Sequence, residues 1–315
     1  MNNDRRQTDN MKISDRLIFN AEVKDGLACK RPVVALESTI ISHGMPYPQN
    51  IETARMLENT VRENGGVPAT IAILDGRIRI GITEKELEIL GTSKNIKKAS
   101  RRDLPSIIAL KQNAATTVAA TMICANLAGI KFFATGGIGG VHRGASESFD
   151  ISADLLEFTR TTVMVVCAGA KAILDIPHTM EYLETLGVPV FGYQTDEMPA
   201  FYYRNSGVKV PQRFDDPADA AEIFRRSIDL GYKSGILVGN PVPKEFEMDK
   251  YAIESKIDEA LEDAKKQGIK GQAVTPYLLQ RLYEITGGES LKTNIELVKN
   301  NAALCTKIAV AFFKH

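Results

Sequence analysis

The chain has 315 residues, is 44% hydrophobic, and balances 39 basic against 39 acidic side chains. That is enough apolar material for a large core, and the charge balance argues against an extended nucleic-acid or anionic-membrane face. No apolar run approaches the roughly 20 residues a membrane span needs, and the polar start MNNDRRQTDNMKISDR lacks an apolar signal core. The expectation is a cytoplasmic protein with no membrane or nucleic-acid partner. Cys29, Cys124, Cys167 and Cys305 form no CxxC pair. They read as reduced core cysteines, not as a disulfide or zinc framework.

Residues 1–30 read as a polar N-terminal arm or loose helix, and 31–315 as a single catalytic α/β domain. The first strand is expected at Pro32–Leu36. A helix follows over 51–64, with Ile51, Ala54, Leu57 and Val61 near one face and Gly65-Gly66 as its stop. Ala69–Leu74 is rich in β-branched residues and reads as a strand. Thr83 to Glu86 spells a capping box. A small-residue helix is expected over 117–127, then strands over 131–135 and 163–167. A helix from about His178 to Leu186 ends at Gly187 and leads into a strand over 188–193. Pro211 to Pro217 reads as a loop, with Asp216-Pro217 opening a helix to about Leu230. After a strand at 235–239 the chain reads as helical, with starts near Glu254, Thr275-Pro276 and Ser290. This alternation predicts a three-layer α/β/α sandwich with a largely parallel central sheet.

In such sheets ligands bind beyond the carboxyl ends of the strands, and the unusual residues cluster there. Glu37 follows the first strand beside Ser38 and Thr39, where hydroxyls could hold it as a proton donor or where it could cap a turn. In ATGGIGGVHRGASESFDISAD, residues 134–154, five glycines surround His142 and Arg143. Glycines let backbone N–H groups cradle an anion, and Arg and His can add charged donors. The pattern is neither a dinucleotide fingerprint nor a P-loop. Asp150 and Asp154 flank Ser152 and offer oxygen ligands that suit Mg²⁺ or Mn²⁺, although one of them could instead cap a helix beginning near Ser152. KKASRRDLP, residues 97–105, is either a solvated basic turn or a phosphate contact. Lys171, in VVCAGAKAILD, follows an apolar strand and a small-residue turn and is expected to open a helix. There the helix dipole and partial burial would favour the free amine that a Schiff-base nucleophile needs.

These segments, with ATTVAATM, GYQTDEMPAF and SLKTNIELVKNNA, closely resemble the pseudouridine-5'-phosphate glycosidases, the family that includes the indigoidine-synthase-A-like proteins. The likeness runs from about residue 13 to the end. It implies reversible cleavage of the C1'–C5 bond of pseudouridine 5'-phosphate to uracil and ribose 5-phosphate, one divalent ion per subunit, usually Mn²⁺, and a homotrimer. By resemblance Lys171 is the covalent nucleophile and Glu37 the proton donor. Lys98, Val118 and the run Ser152-Ala153-Asp154 bind substrate, and Asp150 is the metal ligand. His142 and Asn294 line the pocket. Ala114 stands where the family pattern has Gly. Read without the resemblance, the same lysine logic also fits a class I aldolase or another Schiff-base lyase on a sugar phosphate. A non-catalytic binding protein is disfavoured by the presence of both Lys171 and Glu37.

Overall fold

The computed structural model describes residues 16–269 and 271–314. Its strands are β1 (Leu17–Phe19), β2 (Val33–Leu36), β3 (Val67–Leu74), β4 (Arg77–Ile80), β5 (Lys97–Ala99), β6 (Ala114–Thr116), β7 (Phe132–Ala134), β8 (Val141–His142), β9 (Met164–Cys167), β10 (Leu174–Asp175), β11 (Val190–Tyr193), β12 (Gln212–Phe214) and β13 (Ile236–Gly239). Its α-helices are α1 (Ala21–Ala28), α2 (Gln49–Glu63), α3 (Glu84–Thr92), α4 (Leu104–Ala109), α5 (Val118–Leu127), α6 (Ala145–Ser148), α7 (Ala153–Glu157), α8 (Ile176–Thr185), α9 (Pro217–Asp229), α10 (Lys250–Lys266), α11 (Val274–Ile285) and α12 (Glu289–Phe313).

The main sheet runs β1-β4-β3-β2-β7-β9-β13-β11-β12, with β6 beside β3 and β5 beside β6. From β3 to β12 every neighbouring pair is parallel. The central strands β2, β7, β9 and β13 are buried along their whole length, as continuous apolar runs covered on both faces must be. Strand order also distributes the helices. The chain steps from β2 to β3 in one direction, then returns past β2 to β7, β9 and β11 in the other. Right-handed crossovers therefore put α2 on one face and α5, α7 and α8 on the opposite one. Helix α9, on a backward step to β13, joins α2, and α12 packs against both and crosses β2, β7 and β9. The result is an α/β/α sandwich. The direction of travel reverses between β2 and β7, so the topological switch point lies there.

Several expectations change. Residues 17–28 are not an arm. β1 pairs with β4, and α1, capped by Asn20, buries Val23 and Gly26, because this short stretch carries just enough apolar surface to close the sheet edge. The rest of the expected arm, residues 1–15, lies outside the described residues. β3 and β4 form an antiparallel hairpin through Asp75-Gly76, both at positive φ, the Asp-Gly signature of a tight hairpin turn. Within the expected loop after Pro211, residues 212–214 add the edge strand β12. Ala114, where the family pattern has Gly, sits in the buried strand β6. Cys124, Cys167 and Cys305 are buried free thiols, whereas Cys29 is exposed at the end of α1. Burial pushes the Cys124 and Cys167 thiols up to about 12.

Candidate active site

A cavity of about 490 Å³ opens at the switch point. Glu37 stands one residue beyond β2, Thr135 and Gly136 beyond β7, and Lys171 four residues beyond β9. Glu37, Lys98, Val118, His142, Asp150, Ser152, Ala153, Asp154, Lys171 and Asn294, ten residues that the sequence singles out, all line it.

Glu37 is 9% exposed. One oxygen accepts from the Thr39 hydroxyl and the other from the Thr135 hydroxyl. Hydroxyls can donate or accept, so this cradle serves either protonation state of the acid. The next residue fixes the backbone. Ser38 Oγ donates to the Ile71 carbonyl (2.7 Å) and accepts from the Thr116 N–H (2.9 Å). Thr116 in turn donates to Ile71 O (2.8 Å) and accepts from Thr121 (2.9 Å). This buried network locks the end of β2 to β6 and to α5, which begins at Val118 behind its Thr117 cap. From the far side, buried Asn301 of α12 donates to the Thr135 carbonyl (2.8 Å) and accepts from Asn240 (2.9 Å). Thr135 and Asn301 carry no signal in a single sequence beyond their places in the motifs.

Lys171 does not open a helix. Its N–H donates to Ile138 O (3.1 Å) and its carbonyl accepts from Leu174 N–H (2.9 Å) in a turn, and α8 begins only at Ile176 after Asp175, its cap. The helix-dipole argument for its reactivity therefore does not apply. What the fold supplies is position. Gly169, at φ +90°, passes so close to Pro199 that a Cβ would lie 1.8 Å from its carbonyl oxygen, so a side chain is excluded there. Lys98, on β5, faces the same cavity. Burial lowers its pKa, the Lys171 charge lowers it further, and Asp154 and Glu37 oppose this. His142 is likewise lowered, first by burial and then by Lys171 and Lys98, against the pull of Asp150.

The two aspartates part ways. Asp154 is buried, and its oxygens accept from Ala119 N–H (2.9 Å) and Gly139 N–H (2.8 Å). It pins the start of α5 to the glycine loop, and Ser152, not an aspartate, caps α7. Both Asp154 oxygens are therefore already engaged by backbone donors, although the residue lines the cavity. Asp150 is free to take a ligand: its side chain is 43% exposed, with Oδ2 4.0 Å from His142 Nδ1. Among the described residues no group of three His, Cys, Asp or Glu is arranged around a metal position. The donor set fits a hard ion that keeps most of its shell as water or substrate oxygen.

Part of the glycine loop is already taken up by the protein itself. The N–H groups of Ile138, Gly139 and Val141 donate to Gly169 O, Asp154 and Thr179, and Gly137 gives room to the Phe201 ring. Arg143 points away from the cavity. It bonds Asp258 (2.9 Å) and Glu254 (2.8 Å) of α10 and the Ala172 carbonyl (3.2 Å). In the basic run, Lys98, Arg101 and the exposed Arg102 all line the cavity, but Arg101 is already paired with the buried Glu157 by two hydrogen bonds, which leaves Lys98 and Arg102 without a close carboxylate partner of that kind. The cavity also has a roof that the sequence motifs did not announce. Thr275, Pro276 and Leu279 of α11 line it, and Arg143 and Tyr203, whose hydroxyl donates to Glu254 (2.7 Å), tie α10 down.

Fold and cavity together define an α/β protein with a charged small-molecule site at its sheet switch point. The chain belongs to the family of indigoidine synthase A like proteins, whose match spans residues 22–311. It is 64% identical to a protein of Caldanaerobacter subterraneus subsp. tengcongensis named pseudouridine-5'-phosphate glycosidase, over 94% of this chain and 96% of the relative. It is 58% identical to a Petrotoga mobilis protein of the same name, over 96% and 99%. Two solved structures share its fold. The prealnumycin C-glycosynthase AlnA, in complex with ribulose 5-phosphate, aligns with a TM-score of 0.87 at 40% identity over 94% of this chain and 97% of that one. An indigoidine synthase A-like protein of Thermotoga maritima aligns with a TM-score of 0.86 at 36% identity over 95% and 98%.

Proposed function

We propose that this chain is a pseudouridine-5'-phosphate glycosidase that reversibly cleaves pseudouridine 5'-phosphate to uracil and ribose 5-phosphate. The observation that carries the reading is the convergence of Lys171 and the hydroxyl-held Glu37 on one cavity, in a chain so similar to relatives of that name.

The bond to be broken joins carbon to carbon, so protonating a leaving oxygen, as ordinary glycosidases do, cannot release the base. Lys171 attacks C1' and the C1'–O4' bond opens, with O4' taking up a proton. Glu37 then protonates C5 of uracil. The nitrogen lone pair forms C=N as the C1'–C5 bond breaks, and uracil leaves. Water hydrolyses the imine, returning the amine and giving ribose 5-phosphate. An amine supplies this electron sink where a carboxylate nucleophile could not. Lys98 and Arg102 provide cations for the phosphate, and Val118 and the Ser152–Asp154 run shape the sugar subsite, with Asp154 acting as a positioning residue. Asp150 holds one exchangeable Mn²⁺ or similar ion, which supplies charge stabilisation when bound. The reading extends to a homotrimer working in the cytoplasm; among the described residues no helix is long and apolar enough to cross a membrane.

The test is uracil release from pseudouridine 5'-phosphate with Mn²⁺, comparing wild type with Lys171→Ala and Lys171→Arg. Release by wild type alone is expected, because arginine stays protonated. A folded wild type that releases no uracil but cleaves an aldolase substrate would replace this reading with a Schiff-base lyase.

A further inference from the structure

Beside the main cavity lies a second chamber of about 240 Å³. Five residues line both: His43, Gly44, Pro276, Leu279 and Asn294. The two differ in chemistry. The main cavity is walled by seven charged side chains, including Lys98, Lys171 and Asp150. No Asp, Glu, Lys or Arg lines the second. Its polar side chains are Ser42, whose Oγ donates to the Leu90 carbonyl (2.8 Å), Ser290, whose Oγ accepts from Thr286 (3.0 Å), and His43, Gln280 and Asn294, set beside the rings of Tyr202 and Tyr283. The chamber also has a direction. Its inner end, at Tyr202, Ser290 and Asn294, is buried, whereas Pro46 and Gln280 at its other end are exposed.

Uncharged donors and acceptors with aromatic faces recognise a flat, neutral heterocycle. They offer nothing to a sugar phosphate, whose dianion would lose its charge-assisted partners on entering. The chamber's volume falls below the usual range for drug-sized ligands, about 300–1,000 Å³, and suits a single small ring. At the boundary stand the Asn294 amide, which makes no hydrogen bond to the described residues, and His43, whose buried Nε2 has no partner among them.

We propose that the second chamber is a separate passage for the nucleobase. Uracil leaves and enters past His43 and Asn294, and out beneath Gln280, while the sugar phosphate stays anchored in the charged cavity. The inference rests on the glycosidase reading above, in which the base already departs before the sugar, and it adds a separate route for that departure.

The experiment measures initial rates of pseudouridine 5'-phosphate formation from uracil and ribose 5-phosphate, varying each substrate in turn. Gln280→Trp fills the outer end; the Gln280 amide bonds only Glu284 on its own helix among the described residues. Leu291→Phe adds bulk at a residue that lines the second chamber and not the main cavity. Each variant is expected to raise KM for uracil about tenfold and to leave KM for ribose 5-phosphate within about twofold. An unchanged uracil KM in folded variants would overturn the passage, as would both KM values rising together, since that means one shared entrance. A wild type that makes no pseudouridine 5'-phosphate would overturn the glycosidase reading itself, and the passage with it.

Discussion

The floor and the roof of the cavity are built on different principles. The floor consists of strand ends: Glu37 after β2, Thr135 after β7 and Lys171 after β9, on strands buried along their length. Each position is over-determined by sheet register and by a buried polar network around Ser38, Thr116 and Asn301. The roof is a helix pair, α10 and α11, tied to the floor by side chains that reach across more than a hundred residues, Arg143 to Glu254 and Asp258. A packed floor holds reacting groups to a fixed geometry, whereas the roof adds partly exposed ion pairs, each worth little, to the buried apolar faces of its own two helices, with Ile253, Ile257, Leu278 and Leu282 at their centre. Chemistry is therefore assigned to the floor and access to the roof.

That division has measurable consequences. Loss of Glu37, as Glu37→Gln, is expected to cut kcat by about 10²–10⁴-fold, the usual worth of a positioned acid, with KM little changed. A drop confined to KM would move Glu37 from chemistry to binding. A roof change has a smaller effect of another kind. Arg143→Ala is expected to raise KM about threefold to tenfold with kcat nearly intact, and to speed amide hydrogen exchange in α10 and α11 but not in β2 or β9. Equal exchange in both regions would erase the distinction. The smallest effect is on stability, and its sign is informative. The fold lowers the Lys98 pKa, mainly through burial, so the charged lysine is disfavoured in the folded state. The penalty is fully present below the folded pKa and is relieved as pH rises toward the unfolded value. Lys98→Met should therefore raise Tm at pH 7 by about 2 °C and less at pH 10, while losing activity. A lower Tm at pH 7 would mean that Lys98 stabilises the fold.

The floor was legible in the sequence and the roof was not, for physical reasons. Parallel buried strands appear as unbroken apolar runs, so β2, β7, β9 and β13 are legible, and residues just beyond β2, β7 and β9 line the cavity. Caps are local, and the Thr83–Glu86 box formed as spelled. Arg143 misled because direction is tertiary: the glycine loop turns it toward two carboxylates on α10 that lie 111 and 115 residues on. Asp150 and Asp154 are indistinguishable in spacing, and only packing gives one to backbone N–H groups and leaves the other open. Lys171 was singled out correctly as a cavity residue for a wrong local reason, since the helix expected behind it starts five residues later. The Asp75-Gly76 pair carries the hairpin signature in the sequence, but the short β4 it leads into, Arg77–Ile80, alternates charged and apolar residues and gives a weak strand signal by itself.

The central claim is that Lys171 bonds covalently to C1 of the sugar. The most direct measurement incubates the protein with ribose 5-phosphate and borohydride, then maps the modified residue by peptide mass spectrometry. The account predicts a reduced ribose-phosphate adduct on Lys171, loss of activity in proportion to labelling, and none of this adduct in Lys171→Ala. An unlabelled Lys171 in protein that still turns over, or an adduct on Lys98 instead, would contradict it.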